Sequence, residues 1–141
     1  MSGPWSVAIA VVFVWLGMVL AISFIEAPLK FRAPGVTLRV GLGIGRLVFR
    51  ALNICELLLA ALLVGTFAFH WPPLRVEAAA GVAIGALLVQ LLLVRPALTR
   101  RSDAVLAGSD APRSRGHYVY IAFEAIKAMS LLVTGILLLG A

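Results

Sequence analysis

Apolar residues gather into four long runs, and the polar residues gather between them. The runs cover about Val7–Ile25, Leu47–Phe69, Ala78–Val94 and Tyr118–Leu139. Each approaches the roughly 20 residues that a helix needs to cross a bilayer core. The pattern predicts an all-α fold, a four-helix transmembrane bundle forming one integral-membrane domain over residues 1–141. No Lys or Arg precedes the first run, which reads as a span and not as a cleavable leader. Glu26-Ala27-Pro28 is expected to end the first helix, because proline removes a donor and crowds the preceding turn. Residues 33–45, which carry Pro34 and several glycines, are expected to form an interfacial turn or short helix. Trp71 and Pro72-Pro73 mark a tight corner, Arg95-Pro96 closes the third span, and residues 99–115 read as a solvated loop. Gly81 and Gly85 have the small-xxx-small spacing that allows close helix contact.

Polar residues interrupt the runs at particular depths. Glu26 stands near the end of the first run, Asn53 and Glu56 lie inside the second, Gln90 inside the third, and Glu124 and Lys127 inside the fourth. Arg50, His117 and Tyr120 lie one to two turns from these. Under the 3.6-residue period, Phe49, Asn53 and Glu56 fall on one stripe, and His117, Tyr120, Glu124, Lys127 and Thr134 on another. An ionisable side chain in a hydrocarbon span is costly, so both stripes should face the bundle interior. At comparable depth in the other half only Thr66 and Thr134 are polar, so the layer is one-sided. Cys55, the single cysteine, reads as a packing residue, and Trp15 likewise.

The two stripes belong to matching segments. Gly45–Glu56 and Gly116–Lys127 align at an offset of 71 residues, with Gly45/Gly116, Val48/Val119 and Ala51/Ala122 identical. Phe49 then falls opposite Tyr120, Asn53 opposite Glu124, and Glu56 opposite Lys127. Pro28 and Pro96 match at an offset of 68, each followed four residues on by arginine. Two tandem helical hairpins, related by an axis along the membrane normal, would give this pattern.

Composition sharpens the class. The chain is 62% hydrophobic and only 13% charged, about half the charge of a soluble domain. Its net charge of +6 is concentrated in the first and third connections, which hold Lys30, Arg32, Arg39, Arg46 and Arg50, and Arg95, Arg100, Arg101, Arg113 and Arg115. Basic loops stay on the cytoplasmic side. The expectation is a bacterial inner-membrane protein with both termini outside and residues 26–50 and 95–117 in the cytoplasm. The positive charge then answers to anionic lipid, and no nucleic-acid partner is implied. Four helices are few for a private transport path, so a homodimer or trimer is expected.

The polar layer admits two readings. In one, Glu56 and Glu124 pair with Lys127 and Arg50, Asn53 and Gln90 bond across helices, and the layer fixes helix register, as in an accessory subunit of a larger membrane complex. In the other, Asn53, Glu56, Glu124 and Lys127 bind or help translocate a proton, ion or small polar solute. His70 and His117 stand at opposite ends and cannot share a haem or zinc ion. Oxygen ligands could hold a hard cation, but Lys127 beside Glu124 already neutralises one carboxylate, so no metal is expected. No nucleophile triad, phosphate-binding glycine loop or CxxC is present, and no cofactor or enzyme chemistry is indicated.

Two resemblances follow from particular residues. Phe24-Ile25-Glu26-Ala27-Pro28-Leu29-Lys30-Phe31, with Gly45-Arg46-Leu47-Val48-Phe49, resembles a group of small bacterial four-span membrane proteins similar to the TMEM-type domain with its F-x-x-x-P-x-x-F signature. His117, Tyr120, Glu124 and Lys127 look like that group's fourth-helix pattern. The resemblance implies a membrane location and no particular activity. Arg50-Ala51-Leu52-Asn53-Ile54-Cys55-Glu56 is similar to the second-helix R-A-x-x-N-x-x-E segment of the MAPEG family of membrane glutathione and eicosanoid enzymes. It departs from that family in placing Arg50 and Asn53 one residue too close, in having Leu57 where the family has Tyr, and in ending the third span with Arg95-Pro96. That resemblance implies a trimer in which Arg50, Asn53 and Glu56 grip glutathione.

Overall fold

The computed structural model describes residues 4–94, 96, 100 and 115–141, and the side chains of 94 and 115–117 are left aside. The expectation for the loop over residues 99–115 lies outside the described residues, as does the side chain of His117. Four helices emerge, each long and apolar enough to cross a membrane. Helix α1 covers Ser6–Lys30, α2 Leu38–Phe69, α3 Leu74–Leu93 and α4 Arg115–Leu139. The start of α1, the end of α2, the start of α3 and the end of α4 lie together at what is called here the turn end. The opposite, loop end carries residues 31–37.

The helix bounds correct the sequence reading at two places. Helix α1 does not stop at Glu26 but continues through Pro28 to Lys30. It does so by widening into a π-helix over Leu20–Glu26, where the Ala27 N–H bonds the Ile22 carbonyl five residues back. Proline has no N–H for the carbonyl four residues earlier and crowds it, and a widened turn accommodates both faults. The third helix repeats the device, with a π-helix over Gln90–Val94 just before Pro96.

The second correction concerns residues 33–45. They divide between a tight turn and the first turns of α2, which is one helix of 32 residues, about 48 Å long at 1.5 Å per residue. Pro34-Gly35 makes the turn. Gly35 has φ +82°, and the Val36 N–H bonds the Ala33 carbonyl at 3.2 Å, as a type II turn requires. Thr37 then caps α2 by accepting the Val40 N–H at 3.2 Å. At the turn end, Trp5 donates its indole N–H to the His70 carbonyl at 3.1 Å and ties the start of α1 to the end of α2.

Helix α4 packs closely against α3 and α1, and α1 packs against α2. Lipid is as apolar as leucine, so close packing, and not removal of surface from water, holds such helices together. The turn-end half is an apolar core of Ala8, Val11 and Val12 from α1, Leu63 and Phe67 from α2, Val76, Ala80 and Ala83 from α3, and Leu131 and Leu138 from α4. Alanines let α3 approach α4. The expected role for Gly81 and Gly85 is not met within the chain, because both face open space. Gly135 is close-packed instead: a Cβ there would stand 2.6 Å from Cζ of Phe13.

Candidate functional site

All four helices send a polar side chain to one buried cluster. Lys127 is its centre. The ammonium lies 2.6 Å from Glu56 Oε2, 2.6 Å from Glu124 Oε1 and 2.9 Å from Gln90 Oε1. Its three N–H donors are thereby used. Gln90 turns its amide N–H to Glu124 Oε1 at 2.8 Å and to the Tyr120 carbonyl at 3.3 Å. Helix α1 supplies two more donors. The Trp15 indole N–H bonds Glu56 Oε2 at 2.7 Å, and the Ser23 hydroxyl bonds Glu124 Oε2. Glu56 and Lys127 are fully shielded, and Glu124 and Gln90 nearly so.

The depth follows from helix rise. Glu56 lies about 20 Å along α2 from Phe69, and Lys127 about 18 Å along α4 from Leu139. Against a hydrocarbon core of about 30 Å, both sit just past the middle, toward the loop end. The apolar core closes the turn-end side.

Of the residues picked from sequence, Glu56, Gln90, Glu124 and Lys127 meet. Asn53 is buried one turn from Glu56 but makes none of the cluster's bonds among the described residues. Tyr120 is buried and meets the Phe49 ring edge-on at 5.6 Å, forming the layer next to the cluster on its loop-end side. Arg50 is exposed, which corrects its expected pairing with a glutamate. Six residues separate it from Glu56, so it points about 120° away around the helix. Glu26 is half-buried near the loop end, outside the cluster, with its Oε2 shielded and without a hydrogen-bond partner among the described residues. Trp15 and Ser23 are the residues that sequence reasoning missed. Thr66 and Thr134 bond carbonyls of their own helices and leave the turn-end half without a polar centre.

The repeat acquires a geometric meaning here. Glu56 and Lys127 occupy equivalent positions of the two matching segments, and they touch. Phe49 and Tyr120, one heptad earlier, are also equivalent, and they touch too. One heptad later, Leu63 and Thr134 are both fully buried. A two-fold relation between tandem hairpins would bring equivalent residues of their parallel outbound helices together in this way. Such an axis would run between α2 and α4 along Phe49/Tyr120 and Glu56/Lys127. The symmetry is partial: α1 packs on α4, whereas α3 makes few contacts with α2 among the described residues.

Electrostatically, the cluster holds two carboxylates and one ammonium, a formal charge of −1 when all three are ionised. Three of the four carboxylate oxygens are bonded. The fourth, Glu56 Oε1, is buried with no hydrogen-bond partner among the described residues. No group of three His, Cys, Asp or Glu side chains able to hold a metal forms among the described residues. Comparison with family models, curated proteins and solved structures finds no match to this chain.

Proposed function

We propose that this is a multi-pass membrane protein that takes up and releases a proton at the Glu56–Lys127–Glu124 cluster, and that it helps move protons, or a solute coupled to them, across the bilayer. The observation that carries the reading is Glu56: a carboxylate near the middle of the membrane with one oxygen bonded twice and the other bonded to nothing. A buried group of net charge −1 is costly in a medium of low dielectric. One added proton brings the cluster to neutrality. A purely structural layer would be expected to use every oxygen, as Gln90 uses both ends of its amide.

The donor set suits a proton better than a metal ion. A hard cation asks for six or more oxygens, and the ammonium of Lys127 already sits where such an ion would bind. Glu56 and Glu124 both contact that ammonium, so a proton added to either changes the charge of the whole cluster. The apolar core closes the turn-end side, so in this reading the route of access is the loop-end side, past Tyr120 and Phe49.

The test is proton flux in vesicles. Purified protein is reconstituted into liposomes holding a pH-sensitive dye, and a potassium diffusion potential is imposed. Wild type should acidify or alkalinise the lumen faster than empty vesicles, and Glu56→Gln and Glu124→Gln should abolish the difference while the protein remains folded. Equal flux in wild type and both variants would refute the reading and leave the layer as a packing device.

A further inference from the structure

The loop end carries a second concentration of chemistry that the buried cluster does not use. Between residues 26 and 50 stand five cations, Lys30, Arg32, Arg39, Arg46 and Arg50, against the single carboxylate of Glu26. Their placement on α2 is regular. Spacings of 7 and 4 put Arg39, Arg46 and Arg50 within about 40° of one another around the helix. The exposed apolar residues Val40, Ile44 and Leu47 fall on the adjoining sector, about 80° to 140° from Arg39.

Length explains why this face is at the membrane surface. The end of α2 is held at the turn end by Trp5 and by the corner at Pro72-Pro73. A helix of about 48 Å in a core of about 30 Å must therefore emerge at its other end. The emerging part, roughly its first three turns, is the part that carries Arg39 and Arg46.

Lys30 sits against another face of α2, where α1 meets it at Gly45, about 120° around the helix from Arg39. Its ammonium lies 5.4 Å from the centre of the Phe31 ring and 5.6 Å from that of Phe49. It seats against Gly45, where a Cβ would stand 2.8 Å from Nζ, while the Phe31 ring fills the notch at Gly41. Half-buried between two rings, Lys30 has no carboxylate within ion-pair distance among the described residues. Lys30 therefore faces α1, whereas the arginines line an exposed side of α2 with exposed aliphatic side chains beside them.

We propose that this face of α2 binds anionic phospholipid headgroups, with the Arg39–Arg46–Arg50 stripe, spread over about 16 Å of helix, on the lipid phosphates and Val40, Ile44 and Leu47 against the acyl chains. The shared chemistry is a phosphate. The neighbouring apolar sector selects a lipid over a soluble phosphate, because only the lipid brings hydrocarbon to the same place.

The experiment uses the full chain in mild detergent, stripped of lipid, and measures thermal unfolding with added phosphatidylglycerol, phosphatidylcholine or inorganic phosphate. Phosphatidylglycerol should stabilise the protein, and the other two should not. Each cation near a lipid surface contributes enough for about a fivefold change in affinity. The apparent affinity for phosphatidylglycerol should therefore fall about fivefold in Arg39→Gln and roughly thirtyfold in the double variant Arg39→Gln/Arg50→Gln. Should a variant fail to fold, a salt titration of wild type serves instead, and raising the salt should weaken phosphatidylglycerol binding alone. Equal stabilisation by both lipids, protection by inorganic phosphate, unchanged affinity in the variants, or binding indifferent to salt would each overturn the proposal.

Discussion

Removing the central cation tests the cluster most directly. In Lys127→Met the shape is largely kept, but Glu56, Glu124 and Gln90 each lose a donor. The losses are unequal. Glu124 keeps the Ser23 hydroxyl and the Gln90 amide, whereas Glu56 keeps only the Trp15 indole. Breaking a buried ion pair by deleting one partner costs about 3–5 kcal/mol, because a charge is left uncompensated. The Gln90 oxygen, now without its donor, adds roughly 1–3 kcal/mol. Neutralising Glu56 as well, in Lys127→Met/Glu56→Gln, removes one of the two uncompensated carboxylates and the one with fewer remaining donors, and should recover part of the loss. Glu56→Gln alone leaves one carboxylate on one ammonium and should cost less than about 2 kcal/mol. The assay is reversible unfolding in bicelles or mixed micelles, run as a double-mutant cycle over the three variants and wild type. A Lys127→Met protein within 1 kcal/mol of wild type, or a double variant no more stable than Lys127→Met, would refute the reasoning.

Other outcomes follow from single contacts. Trp15→Phe removes the donor to Glu56 Oε2 and should cost about 1.5–3 kcal/mol in the same unfolding assay, while the emission of Trp15, read with Trp5 and Trp71 replaced by Phe, should be that of an indole shielded from water. Gly135→Ala drives a methyl group into the Phe13 ring and should destabilise by about 1–3 kcal/mol. By contrast, Gly81→Ala and Gly85→Ala meet open space and should be neutral or stabilising by up to about 1 kcal/mol each. Incubation with glutathione and an electrophile should show no thiol-dependent binding or transfer, because the Glu56 carboxylate is sealed inside the bundle; saturable glutathione binding lost in Glu56→Gln would instead support the MAPEG-like alternative.

Much of the fold was legible because hydrocarbon imposes a simple rule: a run of apolar residues of spanning length becomes a helix. The cluster was legible for the same reason, since Glu56, Gln90, Glu124 and Lys127 stand out against apolar surroundings. Its α1 contribution was not. Trp15 reads as apolar in any hydropathy pattern, and the available signal was its indole N–H, which needs an acceptor when buried. Ser23 is too small and too tolerable in a membrane helix to attract notice. The bounds of α1 and α2 were misjudged where local propensity gave way to tertiary context. Pro28 reads as a terminator until a π-turn absorbs it. Gly41, Gly43 and Gly45 read as a break until Phe31 and Lys30 are seen seated on Gly41 and Gly45.

The meeting of Glu56 with Lys127 limits how such a chain could be assembled. Two copies of the first hairpin, brought together about the same line, would set acid against acid at mid-depth; two copies of the second would set amine against amine. Like charges at that spacing in an oily interior repel strongly. In such a pairing only unlike halves would set acid against amine, and carrying both on one polypeptide supplies that match.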